Sequence, residues 1–149
     1  MAKERCRRVD LIQMCLVRQA PCIAGKITAS SEAFEAIKQL RVCDSPQEEV
    51  WVLALDQRHA LRGYALVTRG SIHQSIVHPV DIFRPLITHN TLNFILVHNH
   101  PSGDPSPSAE DRALTERVAQ AAKIMGLSLL DHLVITEDAY FSFRDAGLL

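Results

Sequence analysis

The sequence predicts an α/β fold in which helices pack around one sheet. Three observations lead there. Short β-favouring runs at residues 49–56, 62–69 and 93–97 alternate with stretches of helical period at 30–40, 79–88 and 108–125. The run 49–56 (EVWVLALD) is apolar at almost every position, as a strand covered on both faces must be. A chain of 149 residues with 47% apolar content is long enough for one good core, so one domain is expected.

Residues 1–26 read as an N-terminal extension. Within it, residues 11–17 fit a strand or a short helix, and Pro21 and Gly25 interrupt any regular element after residue 17. The domain proper is expected over 27–149. Ser30 or Ser31 caps a helix to about Leu40, with Phe34, Ile37 and Leu40 on one face. Asp44-Ser45-Pro46 makes a turn. The strand 49–56 turns at 57–59 and returns as 62–69 (RGYALVTR), which is most simply a hairpin. Residues 70–77 form a polar loop with room for a short strand.

His78-Pro79 opens a helix reaching about Thr88, with Val80, Phe83, Leu86 and Ile87 at helical spacing. Pro85 does not suit its interior and should kink it or move its start. Residues 93–97 (NFILV) form a buried strand. At its end His98 and His100 stand two residues apart and point to the same side. A Pro/Gly/Ser-rich turn comes next. Leu114, Val118, Ala121, Ala122 and Met125 then mark a helix that Gly126 stops. Residues 127–131 and 132–136 read as strand, Glu137-Asp138 as a turn, and 140–143 as a last strand.

Ser108 and Asp111 have the spacing of a capping box, with the serine as N-cap and the aspartate answering from N3. That explains the serine but not two histidines arriving just upstream. Two imidazoles and a carboxylate on a tight loop, leaving one tetrahedral position for water, have the form of a catalytic zinc site holding one Zn2+ per chain. Asp104, before Pro105, reads as turn chemistry. His132, beside Asp131, fits either a group that orients a metal ligand or a buried structural histidine. His59, His73, His78 and His89 carry no assigned chemistry, and Trp51 reads as core.

The spacing His98-x-His100, seven residues, Ser108, two residues, Asp111 resembles the JAMM signature of the MPN/JAB zinc hydrolases without a gap. The words His98-Asn99-His100-Pro101-Ser102-Gly103-Asp104 and Leu130-Asp131-His132-Leu133-Val134-Ile135 look more narrowly like the bacterial RadC family. The resemblance covers roughly residues 27–149. It implies the MPN (JAB) fold, a mixed β-sheet with flanking helices in a cytidine-deaminase-like arrangement. It implies a zinc metallopeptidase or isopeptidase acting on a peptide, isopeptide or small amide, with His98, His100 and Asp111 as metal ligands. In such enzymes a glutamate on a strand beside the histidine strand is the general base. The resemblance puts Glu49 in that place, with Glu48 turned away by strand alternation. It also gives Ser108 a second task, stabilising the oxyanion of a tetrahedral intermediate. Where RadC relatives read His-Pro-Arg-Glu, this chain has His78-Pro79-Val80-Asp81. The family often carries a helix-hairpin-helix segment ahead of the JAMM domain, and the stretch upstream is too short for a whole one.

RadC proteins are commonly labelled as DNA repair proteins, so a second reading is a nucleic-acid-associated accessory factor with a structural metal. Charge argues against it. Sixteen Lys/Arg against 17 Asp/Glu leave a net charge of −1, whereas a duplex-binding surface shows a basic excess. The basic tip Lys3, Arg5, Arg7 and Arg8 reads as a solvated tail, so nucleic-acid binding should be weak. No apolar run is long enough for a membrane span or a signal peptide, and a cytoplasmic location is expected. Cys6, Cys15, Cys22 and Cys43 match no Cys-x-x-Cys metal pair and read as reduced thiols. Replacing all four by serine should leave the metal content unchanged, and elemental analysis of the variant checks this.

Overall fold

Val50, Val52 and Ala54 leave one side of their strand and Trp51, Leu53 and Leu55 the other, and each set joins its own apolar cluster. Such a strand needs cover on both faces. The computed structural model describes residues 25–41, 44–70 and 77–149, and shows that cover. The strands are β1 (Glu49–Leu55), β2 (Leu61–Arg69), β3 (Asn93–Asn99), β4 (Ser128–Ile135) and β5 (Tyr140–Ser142). They form a five-stranded sheet in the order β2-β1-β3-β4-β5. Helix α1 (Ser30–Gln39) lays Ala33, Phe34 and Ile37 on the Leu53 side. Helices α2 (Pro79–Thr88) and α3 (Ala109–Met125) lay Ile82, Phe83, Leu86, Leu114 and Val118 on the Val50 side.

The β1–β2 hairpin is antiparallel, β1 and β3 are antiparallel, and β3 and β4 are parallel. A parallel pair needs a crossover, and α3 supplies it. The sheet is therefore mixed, with helices on both faces. In the hairpin turn Asp56 Oδ1 accepts from the N–H groups of Arg58 and Ala60 at 2.8 and 3.0 Å. That Asx geometry lets His59 take a φ of 61°.

Three local expectations are refined. Helix α1 is capped at Ala29 rather than by Ser30 or Ser31. The Glu32 carboxylate takes the Thr28 N–H, the Thr28 hydroxyl and the Ala29 N–H at 2.6, 2.9 and 3.0 Å. Ser30 instead turns its hydroxyl to Asp145 and Tyr140, tying α1 to the C-terminal segment. Helix α2 starts with Pro79 as expected and runs through Pro85.

The third refinement concerns β4. It is one strand, but it carries a surplus residue: Phe94 pairs with Leu129 and Ile95 with Asp131, so Leu130 is a bulge. Phe94 and Leu129 pack into the cluster under α2 and α3, and Ile95 into the one under α1. After the bulge, His132 and Val134 lie beside Leu96 and His98. The extra residue resets the alternation and returns His132 to the α3 side.

Asn99, 2% exposed, fastens the chain entering β1 to the end of β3. Its Oδ1 accepts the Glu49 N–H at 2.6 Å, and its Nδ2 donates to the carbonyls of Gln47 and Ser45 at 3.0 and 3.3 Å. Among the described residues no helix is long and apolar enough to cross a membrane. The four cysteines, His73 and residues 11–17 lie outside the described residues, as does most of the loop 70–77. Asn99→Ala should cost about 1–3 kcal/mol by leaving enclosed backbone groups unpaired, measured by denaturant unfolding.

Candidate metal centre

The β3 ladder continues past its apolar residues. His98 pairs with Val50 on one side and Val134 on the other. The His100 N–H then reaches the Ile135 carbonyl at 2.8 Å. Extended backbone through this point brings the two imidazoles together, with ring centroids 4.7 Å apart and planes at 89°. Gly103, at a φ of 86°, lets the chain turn. It returns at Ser108, the N-cap of α3.

Asp111 in the first turn of α3 is fully buried. Its Oδ1 lies 2.8 Å from His98 Nδ1, and its Oδ2 lies 3.4 Å from His100 Nε2. Oδ2 also accepts the Ser108 N–H and hydroxyl, each at 2.7 Å, while Ser108 Oγ accepts the Asp111 N–H at 3.1 Å. The capping box and the histidine cluster are thus one assembly sharing one carboxylate. One donor atom from each of His98, His100 and Asp111 lies within 4.8 Å of the others.

Burial works to raise the Asp111 pKa, but hydrogen bonds from His100, His98 and Ser108 outweigh it and hold the carboxyl well below its ordinary range. Asp111 in turn raises the His100 pKa, against partial burial and with help from the Asp104 carbonyl and the Glu48 charge. His100 Nδ1 lies 2.8 Å from that carbonyl and donates to it, which directs Nε2 to Asp111. A second partner of this kind commonly fixes a metal-binding imidazole. The Asp104 carboxylate serves the turn, accepting the Ser106 N–H at 2.9 Å. His98 Nε2 is buried without a hydrogen-bond partner. An ionised carboxylate flanked by two imidazoles on a rigid strand end and helix start fits a divalent cation.

The structure does not bring Glu49 to this cluster. Val50 is the residue opposite His98, so strand alternation sends Glu49 to the other face, among the residues under α1. There its Oε1 accepts from Arg69 Nε at 2.6 Å and its Oε2 from Trp51 Nε1 at 2.8 Å. The two glutamates do alternate, but in the reverse phase to the one expected. Glu48, two residues before Val50, lies on the His98 side, and its charge acts on His100. Trp51 belongs to the core under α1, stacked on Tyr64.

His132 is fully buried and stacks on Phe143, ring centroids 4.8 Å apart. Its Nδ1 lies 2.6 Å from Thr115 Oγ1, which donates at 2.6 Å to the Asp111 carbonyl. Burial drives its pKa down to about 3, so the ring is neutral throughout the ordinary pH range. Thr115 and Asn99 were not singled out by sequence, although signals for both existed. Thr115 is one helical turn after Asp111, and Asn99 sits between the histidines with its side chain alternating to the opposite face.

A cation entering this site must displace the proton that Asp111 favours on His100. Zinc affinity should therefore fall as pH drops through and below the raised His100 pKa. One proton displaced per zinc gives about a tenfold change per pH unit in that window. His132, neutral down to about 3, adds nothing to the slope. Zinc titrations with a competing chelator from roughly pH 5 to 9 check the sign.

Comparison with known proteins agrees with this geometry. The profile of the RadC-like JAB domain matches residues 27–148. A UPF0758 protein of Thermotoga maritima is 40% identical over 134 residues, covering 90% of this chain and 60% of that protein. A UPF0758 protein of Geobacter sulfurreducens is 43% identical over 106 residues, covering 71% of this chain and 46% of that protein. One of Methanosarcina acetivorans is 36% identical over 124 residues, covering 83% and 54%. The chain spans about half to three-fifths of the length of these relatives. With the profile matched from residue 27 to 148 and a buried His-His-Asp group at its centre, this chain belongs to the RadC-like JAB domain family.

Proposed function

We propose that this chain is a zinc-dependent hydrolase of amide or isopeptide bonds, of the JAMM type. The observation that carries the reading is the grouping of His98, His100 and Asp111 around one buried carboxylate, with Glu48 on the same side of the sheet. His98, His100 and Asp111 would hold the metal. Zinc bound there supplies a Lewis acid and lowers the pKa of a water toward about 7. The substrate would be a peptide, an isopeptide or a small amide conjugate.

The chain's own groups then have distinct tasks. Glu48 is the general base that takes the proton of the attacking water and returns it to the leaving amine. This assignment replaces Glu49, whose carboxylate is held by Arg69 and Trp51 on the far face. Asn99 holds the segment just before β1, and so fixes where Glu48 begins. Ser108 Oγ–H, which rests on Asp111 Oδ2, is the donor placed to turn toward the substrate oxygen as negative charge develops there. The Asp104 carbonyl keeps the His100 ring from rotating.

Three variants separate these tasks, assayed for zinc content and for amide cleavage on a panel of peptide and isopeptide conjugates. The wild-type chain should carry about one zinc after reconstitution. Asp111→Asn should lose zinc, because a neutral amide is a poor substitute for a carboxylate ligand. Glu48→Gln should keep zinc and lose on the order of 10²–10⁴-fold in rate. Glu49→Gln should keep both. Retained activity in Glu48→Gln with lost activity in Glu49→Gln would overturn the face assignment. The absence of stoichiometric metal would overturn the reading itself.

A further inference from the structure

The face between α3 and the sheet is mostly apolar, with Leu114, Val118 and Ala122 in the cluster that holds Val52 and Leu96. Behind the metal centre a hydrogen bond crosses it, between Thr115 Oγ1 and His132 Nδ1, 2.6 Å apart. Both residues are buried. The sheet side of this contact is anchored from several directions. The His132 ring stacks on Phe143 with the planes 9° apart. Its backbone N–H donates to Asp131 Oδ1 at 2.7 Å, and its carbonyl accepts the Phe143 N–H at 3.0 Å. Asp131 also accepts the Ser142 hydroxyl at 2.6 Å and the Arg144 N–H at 3.0 Å, which ties in the C-terminal segment.

On the helix side Thr115 donates to the Asp111 carbonyl at 2.6 Å, one turn earlier. A threonine makes that bond within its own helix without outside help. The bond to an imidazole on another element is what the helix alone does not supply. Holding two elements together does not require a polar pair. Replacing both members of a buried pair by apolar groups of the same shape is often close to neutral in stability. What the pair adds to apolar packing is direction. Leu114 and Val118 resist separation of α3 from the sheet but let the helix roll, whereas a hydrogen bond selects one orientation.

The metal centre depends on that orientation, because its three donors come from two bodies. His98 is on β3 and His100 follows it, whereas Asp111 stands on α3. The capping box cannot set one body against the other, since Ser108 and Asp111 move with the same helix. Arg117 donates to the Val77 carbonyl at 2.8 Å and so ties α3 to the start of α2 rather than to the sheet. A roll of roughly 10° moves an atom about 5 Å from the helix axis by about 1 Å. That is several times the roughly 0.2 Å that metal–ligand distances tolerate.

We propose that Thr115 and His132 are positioning residues of the metal centre: their hydrogen bond sets the roll of α3 over β4, and so the place where Asp111 meets His98 and His100. His132 is not itself a ligand, since it stands outside the group of three whose donor atoms lie within 4.8 Å of one another. The β4 bulge is what brings its ring to the α3 side. The inference rests on the reading of His98, His100 and Asp111 as metal ligands.

The test uses the full chain and three readouts: zinc affinity by chelator competition, the unfolding midpoint in denaturant, and the visible absorption of bound Co2+, which reports ligand geometry. Thr115→Val keeps the shape and loses the hydroxyl. Its zinc affinity should fall about 10–100-fold, and its Co2+ spectrum should change. Thr115→Ser keeps the hydroxyl and should match wild type in both. Thr115→Val combined with His132→Phe makes the pair apolar, so the midpoint should return toward wild type while zinc affinity stays low. Affinity that recovers together with the midpoint would mean that the pair serves stability alone, and overturns the proposal. Wild-type affinity with an unchanged spectrum in Thr115→Val overturns it too, and that comparison decides the matter if the double variant does not fold. Either result leaves the metal reading intact. A wild-type chain that takes up neither zinc nor cobalt overturns both.

Discussion

The Asp111 carboxylate is enclosed, and both of its oxygens are engaged. An ionised group in that position costs several kcal/mol in lost hydration unless neighbours replace the water. Its partners come from separate parts of the chain: Ser108 at the start of α3, His98 at the end of β3, and His100 just beyond. The carboxylate also sits in the first turn of α3, where the helix dipole favours a negative charge. One anion therefore starts a helix, docks it on a strand end and gathers two imidazoles. The geometry that keeps the charge tolerable in the core is the geometry that a cation would use.

The sheet divides two adjacent glutamates between unlike environments. Glu49 is enclosed with Arg69 and Trp51, and because Arg69 is 59% exposed the ion pair is partly screened by water. Its work is to anchor the start of β1 on the α1 side. The Glu48 charge, by contrast, adds to those that raise the His100 pKa. A peptide bond separates the two residues, yet only Glu49 is held by Arg69 and Trp51.

Much of this was legible in the sequence. Local signals set the β1–β2 hairpin, the capping box of α3, the strand that carries His98 and the Gly126 stop, because each depends on neighbours in the chain. The face of Glu49 was not legible. It depends on which β1 residue lies opposite His98, a register between strands about fifty residues apart. Helix α1 shows the same limit at short range. Two serines looked like its cap, but Glu32 reached back to the Thr28 and Ala29 donors and left Ser30 free to bind the C-terminal segment. The spacing of His98, His100 and Asp111 already suggested a metal site, the resemblance to zinc hydrolases supported it, and the fold shows those three residues meeting.

The surplus residue at Leu130 makes β4 two half-strands in opposite phase. Before it, even and odd positions address one pair of environments; after it, the assignments are exchanged. The chemistry of this strand is consequently encoded in residue count as well as residue type. A loop insertion elsewhere shifts nothing across the sheet, whereas one residue gained or lost here trades a polar histidine for an apolar leucine at the buried end of the site. Transplanting this strand–helix–strand unit onto another sheet would require copying that count along with the ligands.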